Sequence, residues 1–325
     1  GGIVDVGVIF DLRNPPGWRQ DWSRLYGFTL EMCQEAEHVG LDSVWTTEHH
    51  LFEDGYLTQP LTYLAAAAAV TERIRLGTAI LIGPLRSSVQ LAEEATVVDV
   101  ISGGRVELGL GAGYRVPEYE LFEADISKRY STNDQRIRDL REIFADPRHQ
   151  PTPVNGTIPL YCGYNGPQGA RRAGRLGAGL LSARKALWEP YREGLLEGGH
   201  DPSVGVMKGA LPIFATDDPE RDWPVVKEHL RYQLDSYRRY MVEGTDARVP
   251  RPVDPDRIRA DAENSKVLGS FVYGTPEELA PAVLDYVGDA PVTEIFTFAS
   301  LAGMPEQMVA DHIRLLASTL KPLLS

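Results

Sequence analysis

The sequence predicts a (β/α)8 barrel, an α/β fold of the TIM type with inserted loops at the carboxyl ends of its strands. Two observations predict it. Short apolar, β-branched segments alternate with longer segments of helical period. Eight such units follow one another in order along 325 residues. A third observation weighs against the nearest competitor: a doubly wound sheet carries Gly-x-Gly-x-x-Gly after its first strand, whereas here the first strand runs into Asp11-Leu12-Arg13-Asn14-Pro15-Pro16.

Each element has its own warrant. Ile3 to Phe10 is short and β-branched, as a strand buried on both faces should be. Ser23 to Val39 sets Leu25, Phe28, Met32, Ala36 and Val39 on one helical face, and Gly40 stops it. Ser43 to Thr46 is the second strand, followed by an alanine-rich helix from Pro60 to Thr71. Ile74 to Ile82 is the third, with a helix from Ser87 to Ile101 that Gly103-Gly104 ends. Arg105 to Leu110 is the fourth, and Arg115 to Arg136 after it reads as a long polar stretch outside the bare repeat. Pro159 to Gly163 leads to a helix over Gly169 to Leu176, and Gly179 to Ser182 to one over Trp188 to Glu197. Val204 to Ala215 is the seventh strand, with a long helix from Pro219 to Val242. Residues 244–266 hold three prolines, many charges and little periodicity, and read as a lid inserted on the strand-end face. Thr275 caps a helix that begins at Pro276. Glu294 to Ala299 and Pro305 to Leu320 complete the eighth unit, giving one barrel over residues 1–325.

Lys and Arg number 33 against 46 Asp and Glu, a formal charge of −13. That balance argues against binding a nucleic-acid backbone or an anionic membrane. Cys33 and Cys162 form no Cys-x-x-Cys, so neither a disulfide framework nor a zinc knuckle is expected. The longest apolar run, Leu64 to Val70, falls far short of the roughly 18 residues that span a bilayer. No basic-then-apolar leader is visible, and the cytoplasm is the expected location.

In a (β/α)8 enzyme chemistry sits where strands end. The second strand runs into Thr46-Thr47-Glu48-His49-His50. Alternation places Glu48 and His50 on one side and His49 on the other, so at least one imidazole faces the mouth, where it can exchange a proton near neutral pH. The structural alternative is a loop histidine held by a carboxylate. The remaining histidines lie in helices or outer loops without His-Glu-x-x-His, so no metal site is expected. The fourth strand ends in Gly109-Leu110-Gly111-Ala112-Gly113-Tyr114, whose bare backbone lets a flat ligand approach closely. The fifth runs into Gly163-Tyr164-Asn165-Gly166-Pro167-Gln168-Gly169, a small-residue turn before a helix, where free amides and the helix dipole suit a phosphate.

Taken together these stretches resemble the bacterial luciferase-like monooxygenases. The matching segments are Ser43 to His50, Gly77-Thr78-Ala79-Ile80-Leu81, Leu91-Ala92-Glu93-Glu94 with Asp99, Ser102 to Tyr114, Pro159-Leu160-Tyr161, and Gly274 to Glu278. They occur in family order across nearly the whole chain. The resemblance implies that His49 is the catalytic histidine beside a flavin, with Glu48 or His50 setting its tautomer. It puts an unusual non-proline cis peptide at Thr78-Ala79, beneath the flavin ring. Gly111, Gly113 and Tyr114 would line the flavin pocket, and Gly163, Asn165, Gly166 and Gly169 would take its phosphate. The reactive cysteine of the light-emitting subunit falls on Gly111, so luminescence is not expected. An acidic and a hydroxyl residue near the phosphate become Asn165 and Gly166, a change that fits FMN and also the deazaflavin F420.

The function implied is a monooxygenase that uses reduced FMN and O2 on a small hydrophobic organic substrate. No NADH fingerprint is visible, consistent with a separate flavin reductase as partner. Hydride transfer with F420 is the alternative within the fold, and a non-catalytic flavin-binding protein the alternative from another class. Tyr114, Tyr119, Phe122 and Tyr130 are candidates to enclose the substrate. The family also implies a homodimer, through the second and third helices with the small side chains of Ala65 to Ala69.

Overall fold

A computed structural model describes residues 5–264, 268–269 and 271–325. Ile3 and Val4 of the expected first strand, and residues 265–266 of the expected lid, lie outside the described residues. The chain opens with β1 (Asp5–Phe10), α1 (Trp22–Val39), β2 (Ser43–Thr46), α2 (Pro60–Val70), β3 (Arg75–Ile82), α3 (Ser88–Ser102) and β4 (Val106–Gly111). It continues through α4 (Val116–Leu121), α5 (Arg129–Ala145), β5 (Leu160–Cys162), α6 (Gly166–Arg175), β6 (Gly179–Leu181), α7 (Trp188–Glu197) and β7 (Met207–Ala210). The last third holds β8 (Ile213–Ala215), α8 (Pro219–Val242), α9 (Pro255–Asn264), β9 (Val272–Gly274), α10 (Pro276–Val287), β10 (Val292–Phe298), α11 (Glu306–Leu315) and α12 (Lys321–Leu324).

Eight parallel strands close the barrel in the order β1-β10-β7-β6-β5-β4-β3-β2, as the repeat arithmetic requires. The helix limits follow the capping chemistry. Asp21 accepts from Arg24 N and Ser87 from Gln90 N at the starts of α1 and α3; Gly40 and Gly103 end them at φ 98° and 71°. Thr275 accepts from Glu278 N and Pro276 opens α10.

Three expectations need correction. Val204 to Ala215 is not one strand: β7 belongs to the barrel, whereas β8 pairs with β9 in a separate two-stranded sheet. Pro212 lies between them and has no N–H to extend the ladder. The polar stretch from 115 to 136 is largely helical, holding α4 and the start of α5. The third concerns the excursion at 244–266, which contains α9. That helix packs on the first half of α8, where Trp223 Nε1 donates to Asp256 Oδ1 at 2.7 Å and Arg259 lies over the Trp223 ring.

The barrel interior is built in layers. At the amino ends of the strands Glu107 accepts from Arg75 (2.8 Å), Lys208 (2.8 Å) and Tyr161 (2.9 Å), and Arg75 also bridges to Glu294 and Asp5. Burial alone would raise the Glu107 pKa, but the Lys208 and Arg75 charges hold it below the usual carboxylate range. Above this floor Trp45, Ile9 and Phe296 form a plug, with the Trp45 and Phe296 rings stacked at 4.5 Å. Gly77 makes room for it: a Cβ there would stand 2.4 Å from the Trp45 ring. Burying an indole removes roughly 150–250 Å² from water, about 4–6 kcal/mol. Val6, Val8 and Phe10 alternate outward into the main core under the helices. Among the described residues the open space along this axis lies at the carboxyl end, above the plug.

Candidate active site

A cavity of about 310 Å³ lies above the plug, walled by His49, Ala79, Ile80, Tyr114, Asn165 and Phe296 among others. His49 enters it from the segment after β2. Its Nδ1 stands 3.1 Å and 3.2 Å from the two carboxylate oxygens of Glu118, and its Nε2 is 3.5 Å from the Tyr114 hydroxyl. The ring stacks on Phe52 at 4.7 Å and meets Tyr56 edge-on at 4.7 Å. Because a carboxylate only accepts, Nδ1 carries the proton in this pairing, and the neutral ring keeps a lone pair at Nε2. Burial, with Glu118 nearby, pushes the Tyr114 phenol up to about 12, so it stays protonated and able to donate.

Glu118 is itself held. The backbone N–H of His50 donates to it and Arg115 Nε lies 3.4 Å away. Arg115 has no exposed side-chain surface, and it donates to the carbonyls of Tyr240 (2.9 Å) and His50 (3.1 Å). Its guanidinium also lies over the Phe52 and Tyr240 rings. The buried ring, carboxylate and guanidinium thus fix one another's rotamers.

Glu48 and His50 do share a side, as alternation predicts, and hydrogen-bond to each other. Neither orients His49, which corrects that expectation. Glu48 accepts from Ile82 N (3.0 Å) and Arg86 (2.7 Å), so it ties the β2 end to the β3 end. His50 packs its ring against Phe122 and is not part of the cavity wall. The carboxylate at His49 comes from α4, in the stretch read as a polar loop. A helix-start signal was present there, since Pro117 and Glu118 occupy the first turn.

The other expected residues divide in two. Ala79, Gly113, Tyr114, Gly163 and Asn165 line the cavity. Thr78 does not: its hydroxyl donates to Gly109 O at 2.9 Å and accepts from Gly109 N at 3.0 Å, pinning β3 to β4. The non-proline cis peptide joins Ala79 to Ile80, one bond beyond the expected Thr78-Ala79. Gly111 lies behind the Ile80 side chain, where a Cβ would come 2.2 Å from Ile80 Cδ1. Gly166 opens α6 at φ 73°, and Gly169 lets the helix pass Tyr164, but neither forms the cavity wall. Glu48 also borders the cavity, and Tyr130, expected from the sequence to enclose substrate, shares the wall with Ile80, Tyr164, Leu181 and Phe296 among others.

Two features suit a flat phosphorylated cofactor. Ala79 and Ile80 give the cavity an apolar wall. Asn165, also on the cavity wall, leads into α6 without a side-chain cap, so the first-turn amides of that helix have no side-chain acceptor. Among the described residues no group of His, Cys, Asp and Glu side chains is placed to hold a metal ion, and no helix is long and apolar enough to cross a membrane.

The family model for luciferase-like monooxygenases matches residues 8–293. The chain belongs to that family. Two luciferase-like relatives match over most of the chain. The 4-hydroxyprotoasukamycin monooxygenase of Streptomyces nodosus is 31% identical over 79% of this chain and 75% of its own. An F420-dependent glucose-6-phosphate dehydrogenase of Beutenbergia cavernae is 31% identical over 78% of this chain and 81% of its own. The chain spans only 34% and 28% of the length of the first two curated relatives it matches. Among solved structures, the monooxygenase RslO1 of Streptomyces bottropensis superposes with a TM-score of 0.80 at 22% identity, covering 98% and 99% of the two chains. The oxygenating constituent of 3,6-diketocamphane monooxygenase of Pseudomonas putida, in complex with FMN, gives 0.76 at 19% identity, covering 99% of each. Luciferase-like oxidoreductases thus surround this chain with both oxygen-using and F420-using members.

Proposed function

We propose that this protein is a flavin-dependent monooxygenase that uses reduced FMN and O2 to oxidise a small hydrophobic organic substrate. A separate flavin reductase supplies the reduced cofactor. The observation that carries the reading is the buried His49–Glu118 pair at a cavity with an apolar wall, whose lining residue Asn165 leads into an uncapped helix start. Pure binding needs no such pair, which weighs against a non-catalytic flavin carrier.

Bound reduced FMN supplies the electrons for oxygen chemistry. The residues of this chain do the rest. First-turn amides of α6, with Asn165 beside them, would hold the phosphate. His49 Nε2 would accept or return a proton in the cavity while Glu118 keeps the proton on Nδ1. Tyr114 donates beside Nε2. Phe52, Tyr56 and Tyr237 pack around the imidazole and exclude water. Residues 244–254, which link the end of α8 beside this aromatic box to α9, are the part of the excursion that we assign as lid.

The relationship to an F420-dependent dehydrogenase supports a second reading, in which His49 serves hydride transfer on F420 and no oxygen is used. Purified protein offered reduced FMN and reduced F420 separately, with binding followed by fluorescence, decides between them. Binding of reduced FMN with substrate-dependent oxygen uptake is the expected result. Binding of F420 alone overturns it.

The exposed apolar side chains Val97, Val100 and Ile101 of α3, with Val70 of α2, support a homodimer through these two helices.

A further inference from the structure

A second recess, of about 280 Å³, shares a wall with the cofactor cavity. Ala210 borders both. On β10, Phe296 faces the cofactor cavity while Thr297 and Phe298 border the recess. Leu230, Leu234 and Tyr237 of α8 and Phe271 close it, and the Tyr237 ring stands 6.2 Å from the His49 ring. No charged side chain is among the described residues that line it. An ionised substrate would lose its hydration there without meeting a counter-charge.

Among the described lining residues one side-chain donor is available. Gln233 is 6% exposed and borders the recess. Its Oε1 accepts from Ala302 N at 2.9 Å, which fixes the amide orientation; among the described residues its Nε2 donates to nothing. The neighbouring polar atoms are already engaged: Thr297 Oγ1 donates to the carbonyls of Leu211 and Ile213, both at 2.8 Å, and the Tyr237 and Tyr56 hydroxyls bond at 2.8 Å. A donor that borders an apolar recess and has no protein partner among the described residues is free to take a ligand or water acceptor.

We propose that this recess seats the substrate, a neutral molecule with a carbon skeleton of about ten atoms and one acceptor oxygen, such as a bicyclic ketone, that Gln233 Nε2 reads. The size follows from the volume, since an apolar cavity of about 150 Å³ takes one benzene ring. The skeleton lies between α8 and β10 and its reacting end points past Ala210 toward His49. This deepens the monooxygenase reading and rests on it for the chemistry that follows binding.

The test is calorimetric titration of the protein, as purified, with 2-decalone, decalin and glucose 6-phosphate. The ketone is expected to bind about tenfold more tightly than the hydrocarbon, the usual worth of one buried neutral hydrogen bond. Glucose 6-phosphate is expected to bind more weakly than either. Gln233→Met keeps the size but has no donor, and brings the ketone-to-hydrocarbon ratio to about one. Leu234→Trp fills the recess and weakens both ligands at least tenfold, without loss of FMN or F420 retention. A ratio that survives Gln233→Met, ketone binding indifferent to Leu234→Trp, no ketone binding in the parent protein, or tighter binding of the sugar phosphate overturns the proposal. Cofactor retention, read in parallel, tests the monooxygenase reading by itself: failure to hold either cofactor sinks that reading and leaves the ketone measurement standing.

Discussion

Nδ1 of His49 meets Oε2 of Glu118 at 3.1 Å, although 69 residues separate them in sequence. One comes from the end of β2 and the other from a six-residue helix after β4, and Arg115 locks both in place. The proposed chemistry depends on this pair.

Replacing His49 by Ala removes the only imidazole on the described cavity wall. The rate should fall roughly 10²–10⁴-fold, the range for loss of a positioned acid–base group, while cofactor affinity stays within a few-fold. Stopped-flow kinetics beside a fluorescence titration reads both; an unchanged rate removes His49 from the mechanism.

Glu118→Gln keeps the shape but allows either imidazole tautomer, because an amide both donates and accepts. A loss of roughly 10–100-fold in kcat is expected, with little change in KM. A purely structural role would lower stability in urea denaturation and leave kcat of the folded protein unchanged.

Gly77→Ala would place a methyl group 2.4 Å from the Trp45 ring. The plug cannot yield without displacing Phe296, so a loss of about 1–3 kcal/mol is expected in urea denaturation. Unchanged stability would mean that the plug tolerates displacement.

His312 predicts acid sensitivity. It is fully buried, accepts from Ala215 N at 3.0 Å and faces the Phe298 carbonyl at 3.1 Å, and burial lowers its pKa from 6.5 to about 4. Between those values the unfolded chain binds a proton that the folded chain refuses. Stability should therefore fall as pH drops from about 6.5 to about 4, by about 3 kcal/mol in all. His312→Gln, which can accept and donate in the same places, should flatten that part of the stability profile. A parallel loss in parent and variant would assign the acid limb to other groups.

Val97 and Ile101 of α3 are each about half exposed. If α2 and α3 form the dimer face, Val97→Asp with Ile101→Asp should convert a dimer to a monomer by light scattering, with little change in thermal stability of the monomer fold. A parent protein that scatters as a monomer ends the dimer proposal.

The barrel was legible because parallel strands buried on both faces read as continuous apolar runs, and because Gly40, Gly103 and Thr275 mark helix ends by local chemistry. The parts that escaped depended on tertiary context. Met207 to Ala210 and Ile213 to Ala215 look like one strand until Pro212 is seen to send the chain out of the barrel. The helix α5 buries only five side chains (Asn133, Asp134, Ile137, Leu140 and Phe144), two of them polar, so its apolar stripe is faint. His49 could be singled out because three ionisable residues end a buried strand. Glu118 could not be paired with it, since local spacing carries no information about two loops that meet only when the barrel closes.

The ion pairs of Arg75, Lys208, Glu107 and Glu294 seal one end of the barrel, and the Trp45 plug stands directly above them. Among the described residues the barrel is thus shut to small molecules from beneath, and a ligand of the cavity above the plug approaches from the side where the strands end.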